Sequence, residues 1–116
     1  MKNLFKRIKV WYALRKAHAE LDEAIIDAEE WFKMYNKRFY VIADYNNKLR
    51  VLSYSQLKQM KKQGFFSSKC KESDFIRESF YYTPSRLDQT YMKPETKEQK
   101  RREWIQYYKT YRLHLR

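Results

Sequence analysis

From about residue 3 to residue 36 the chain has neither glycine nor proline, and Leu14, His18, Leu21, Ile25, Ala28, Phe32 and Tyr35 recur at spacings of 4, 3, 4, 3, 4 and 3. That period lays them along one side of an α-helix. Leu4, Ile8 and Trp11 begin a similar stripe upstream. At 1.5 Å per residue a helix of ~33 residues runs ~50 Å, longer than a domain of this size is wide. The helix is therefore expected to break near Ala17–Ala19 or to project one end onto a partner.

The period then shortens to two. In "RFYVIADYNNKLRVLSY", Phe39, Val41 and Ala43 alternate with Tyr40, Ile42 and Asp44, and β-branched and aromatic residues dominate. A hairpin over residues 39–52 is expected, turning on Asn46-Asn47, with Lys48–Leu52 as its second strand. Ser53 and Gln56 have the spacing of a capping box for a short helix, 54–63, that buries Leu57 and Met60. Gly64 ends that helix, with Phe65 or Phe66 making the accompanying apolar contact. After a polar loop, Ser73 is expected to cap one turn in "DFIRES", and "FYYT" (80–83) reads as a third strand. Pro94 suits the first turn of a last helix, 95–115, with Trp104, Tyr108, Tyr111 and Leu115 along one face. The fold class is α+β in one structural domain: a long helix (1–36), a ββα core with a third strand (37–84), a linker (85–94) and a C-terminal helix (95–116).

Charge changes this picture. Twenty-six Lys and Arg against fourteen Asp and Glu give 116 residues a net charge of +12, with 18% aromatics. Such a balance speaks to partners rather than to fold, and phosphate polyanions fit it best. Residues 1–18 carry six bases and no acid, and residues 19–32 carry six acids and no base. A single cysteine, Cys70, excludes an internal disulfide and a multi-cysteine zinc site. No apolar run reaches the ~18 residues of a membrane span, and charges interrupt the N-terminus where a signal peptide would be apolar. A cytoplasmic protein is expected.

No catalytic constellation assembles. His18 and His114 stand alone, one glycine cannot build a phosphate-cradling loop, and Cys70 has no histidine near it in sequence. Catalytic residues, metal and cofactor are all expected to be absent. Three basic segments remain as candidates for phosphate contact: Lys58, Lys61 and Lys62 on the short helix; Lys97, Lys100, Arg101, Arg102, Lys109 and Arg112 around the C-terminal aromatic stripe; and Lys6, Arg7 and Lys9 at the N-terminus. Each has a plainer reading, a solvated cationic face, and Trp104 and Tyr108 are expected to dock on the first helix. The N-terminal segment also has the make-up of an interfacial amphipathic helix, though phosphate polyanions rank ahead of a membrane surface.

"YVIADYNNKLRVLSYSQLKQMKKQGFF" and the following "FYYTP" resemble small accessory proteins of microviruses, tailless single-stranded DNA phages of gut bacteria. The resemblance covers roughly residues 39–84 and implies a phage or virion-associated protein, in the host cytoplasm or the virion, that meets single-stranded DNA. The resulting expectation is a non-enzymatic, sequence-tolerant binder of single-stranded DNA or RNA. The alternative is a scaffold module, meeting a second copy or a capsid protein, that self-associates through Leu14, Leu21, Ile25 and Phe32.

Overall fold

The first helix is unbroken. The computed structural model describes residues 2–114, and in it α1 runs Lys2–Tyr35 through Ala17–Ala19 without interruption. Its C-terminal two-thirds rest on the body, burying Ala17, Leu21, Ala24, Ile25, Ala28 and Phe32, while Leu4, Ile8, Trp11 and Tyr12 are exposed on a projecting arm. His18 and Tyr35, expected in the buried stripe, face solvent, and Ala17 and Ala24 take the core positions. Ala17 is where a later helix comes closest: the Trp104 Nε1–H donates to its carbonyl at 2.9 Å, and only a small side chain leaves room for the indole.

Asn36, with φ +52° and its N–H on the Phe32 carbonyl (2.7 Å), ends α1 and turns the chain into β1 (Phe39–Ala43). β1 pairs antiparallel with β2 (Leu49–Ser53), Val41 opposite Val51. The connection uses three residues, Tyr45–Asn47, rather than the expected two. Asp44 Oδ1 accepts from the N–H groups of Asn46 and Lys48, and Asn47 alone is left-handed (φ +62°). With one left-handed residue the turn is complete, and β2 starts one residue later than expected.

Ser53 caps α2 (Tyr54–Lys62) in a full capping box with Gln56. Gly64, φ +89°, closes it: its N–H donates to the Lys61 carbonyl and that of Phe65 to Met60, both at 3.1 Å, which is the Schellman arrangement. Phe66 makes the apolar contact, against Phe75, whereas Phe65 stays exposed. In α3 (Glu72–Glu78) the cap differs from expectation. The Asp74 carboxylate accepts from the Lys71 N–H at 2.8 Å, so Ser73 lies inside the first turn instead of before it. β3 (Tyr81–Tyr82) joins the other edge of β1, giving the order β2-β1-β3, and α4 (Pro94–Tyr111) follows, capped by Arg112 and so ending four residues short of the expected 115. The segment before α4 packs down as well, with Tyr91 edge-on to Phe32 and Met92 against the core. Leu115, the last expected stripe position, lies outside the described residues.

The result is an α+β fold of three layers. Phe39, Val41 and Tyr81 face α1 and α4; Tyr40, Ile42 and Leu52 face α2 and α3 with Leu57 and Phe75. β1 is therefore buried on both faces, which is why its sequence is nearly all apolar. No described helix is long and apolar enough to cross a membrane.

Candidate nucleic-acid interface

The fold divides the expected cations into those already engaged and those still available. Lys100 is buried on α4 and its ammonium donates to the carbonyls of Ile76 (2.9 Å), Arg77 (3.1 Å) and Ser79 (2.7 Å) at the end of α3. Burial pushes its pKa down. A side chain so placed cannot meet a ligand, and Lys100 leaves the candidate set. Arg112 donates to both carboxylate oxygens of Glu20 (2.8 and 3.0 Å), and Arg101 pairs with Asp22 and touches His18. Lys61 Nζ is held by the Cys70 carbonyl at 2.6 Å. The acidic block of α1 is thus a clamp for α4 within one chain; Glu29, its fifth acid, accepts the Tyr81 hydroxyl at 2.8 Å.

The self-association stripe is also used internally. Leu21, Ile25 and Phe32 belong to the core beneath the sheet and α4, and Leu14 packs half-buried at its edge. An amphipathic stripe reads the same from sequence whether its cover is the same chain or another; here it is the same chain.

Four cations converge elsewhere. Lys37 and Arg38, between α1 and β1, Lys58 on α2, and Arg86 after β3 line one groove of about 910 Å³ with Tyr54, Ser55, Ser73 and Ser85. Asn36 sets the first two there by reversing the chain. Arg38 is anchored through Nε–H on the Thr83 carbonyl (2.9 Å), and its guanidinium lies 5.1 Å from the Tyr82 ring. Lys58 Nζ sits 5.2 Å from the Tyr54 ring, a side chain itself wedged edge-on against Phe75. The one acid among the described lining residues, Glu72, accepts the Tyr40 hydroxyl at 2.8 Å. Desolvation, reinforced by that carboxylate, holds the Tyr40 phenol well above its ordinary range. Four like charges around one concavity repel one another, and a polyanion relieves the repulsion. Serine hydroxyls are further donors suited to phosphate oxygens.

A smaller concavity between α1 and α4, about 340 Å³, gathers Arg101, Arg102 and Lys109 beside His18 and Glu98. Lys6 and Arg7 lie on the arm with Val10 and Trp11, Lys9 is exposed nearby, and Lys97 rests over the Tyr81 ring at 5.6 Å. Of the twelve expected cations only Lys58 reaches the main groove. Lys37, Arg38 and Arg86 lie outside the three basic segments: Arg86 stands alone, and the Lys37-Arg38 pair between helix and strand is the one local signal. Comparison of the chain with protein-family models, with curated proteins and with solved structures finds no match.

Proposed function

We propose that this protein is a non-enzymatic nucleic-acid-binding accessory protein that holds a single strand by its phosphates, with little sequence preference. The observation that carries the reading is the convergence of Lys37, Arg38, Lys58 and Arg86 on one groove holding a single, already engaged carboxylate. The aromatic in the described lining, Tyr54, supports phosphate contact more than base stacking, since it already carries the Lys58 ammonium over its ring. The likeness of residues 39–84 to microvirus accessory proteins makes single-stranded DNA the strand to test first.

The experiment is a fluorescence-anisotropy titration of the full chain with a labelled single-stranded oligonucleotide across a salt series. Four neutralised phosphates give a slope of log affinity against log salt of about −3, at ~0.7 per phosphate. Lys58→Gln with Arg86→Gln flattens the slope by about 0.7 per charge removed. No binding at low salt, or an unchanged slope in the double variant, overturns the reading.

A further inference from the structure

The outward side of α1 carries a pattern that neither the core nor the groove uses. Ile8, Tyr12, Arg15, Ala19, Glu23, Ile26 and Glu30 recur at spacings of 4, 3, 4, 4, 3 and 4. At 3.6 residues per turn they form one stripe on the side of the helix away from Leu21, Ile25 and Ala28. All seven are exposed, and Ile8, Tyr12 and Ile26 keep 43%, 57% and 54% of their surface in solvent. Glu23 and Glu30 have no described cation partner, unlike Glu20 and Asp22 on the neighbouring face. Lys9 and Lys16 flank the basic half and are exposed too.

The spacing is a palindrome centred on Ala19, with opposite charges, Arg15 and Glu23, one turn either side of it and apolar residues, Tyr12 and Ile26, two turns out. We infer that this face is an interface with a second copy of the chain, the two α1 helices crossing antiparallel at Ala19. A twofold axis at Ala19 sets Arg15 opposite Glu23, Tyr12 opposite Ile26 and Ile8 opposite Glu30, with Lys9, next to Ile8, the cation nearest that carboxylate; each pair is made twice, as an isologous contact requires. Alanine at the crossing lets the backbones approach. The seam from residue 8 to residue 30 is about 33 Å long, and the two bodies lie on opposite outer sides because the core face of each helix points away from the axis. The projecting arm thereby gains a cover, from the acidic half of its partner.

Charge selects the second copy over other occupants. An anionic membrane or a nucleic acid lying along this face would meet Arg15 and Lys16 but also Glu23 and Glu30. Only a partner with the reversed order satisfies both halves, and the antiparallel chain is such a partner. The contact is modest in apolar area and rich in exposed ion pairs, so salt weakens it.

Sedimentation velocity of the full chain tests this, from micromolar to submillimolar protein at low and high salt. A dimer that dissociates as salt rises is expected. Lys9→Glu with Arg15→Glu yields a folded monomer by circular dichroism, and so does Glu23→Lys with Glu30→Lys. Mixed in equal amounts, the two variants re-form a dimer, because every reversed charge then meets its opposite. A parent monomeric at all concentrations overturns the proposal, as does a mixture that stays monomeric. Binding of the monomer to anionic vesicles, with no dimer in solution, also overturns it.

Discussion

Lys58 adjoins the buried Leu57 and Lys100 lies one turn before the buried Trp104, and the two ammonium groups have opposite employment. Lys100 Nζ closes the carbonyl end of α3, where three oxygens have it as donor. Lys58 hangs over a tyrosine ring at the rim of the groove. Lys100→Met leaves buried carbonyls without that donor and is expected to destabilise the protein by about 1–3 kcal/mol in urea unfolding, with oligonucleotide affinity per folded molecule unchanged. Lys58→Met is expected to change stability by less than about 0.5 kcal/mol and to weaken binding. A crossed result, in which Lys58 carries stability and Lys100 affinity, would remove this division of the cations.

Among the elements, α2 is governed at both ends by local chemistry and α1 by what it packs on. Ser53→Ala removes the capping hydroxyl and is expected to cost about 1 kcal/mol. Gly64 has open space where a Cβ would go, so its requirement is backbone alone: φ +89°. Gly64→Ala is expected to destabilise by about 1 kcal/mol and Gly64→Asn by less, because asparagine tolerates left-handed backbone. Equal losses in thermal unfolding would mean that the side chain, not φ, decides. The α1 arm has no such support within the monomer, and an unpacked helical end is marginal in water. Amide exchange is expected to be fast over residues 4–12 in either charge-reversed variant and slowed in the parent at dimer-forming concentration.

Across the whole molecule, the three layers are tied by two phenol–carboxylate bonds, one on each side of the sheet: Tyr40 to Glu72 of α3 and Tyr81 to Glu29 of α1. Burial first, then the bonded carboxylate, raises both phenols well above their ordinary range. In the unfolded chain these phenols ionise near pH 10, so between that value and the higher folded one the native state binds more protons, and stability falls as pH rises. Lys100 acts in the opposite sense, its lowered pKa adding stability as pH rises toward its ordinary range. The Tyr107 phenol is raised too, by desolvation first, and three phenols against one ammonium leave a net fall. The urea midpoint is expected to drop from about pH 9 to about pH 11, and Tyr81→Phe to make that drop shallower. An equally steep drop in Tyr81→Phe would place the alkaline sensitivity elsewhere.

The hairpin, the Ser53–Gln56 box, the Gly64 stop and a helical stretch of about 3–36 were legible in the sequence because each depends on residues within a turn or two of one another. Side-chain period, cap chemistry and φ preference act at that range. What covers a stripe does not. Leu21, Ile25 and Phe32 would read the same beneath a sheet or beneath a second chain, and the body of this chain settled the matter by packing on them. Nor could spacing show that Lys100 is buried 21 to 24 residues from its acceptors, or that Lys37, Arg38, Lys58 and Arg86 meet. Those cations come from segments that only chain reversal at Asn36 and pairing of β3 with β1 bring together. The sequence alone determined which elements form, because local free energies decide that; the tertiary structure decided several of their exact ends and which charges remain for a partner, because a charge is spent only when folding brings its counterpart within reach.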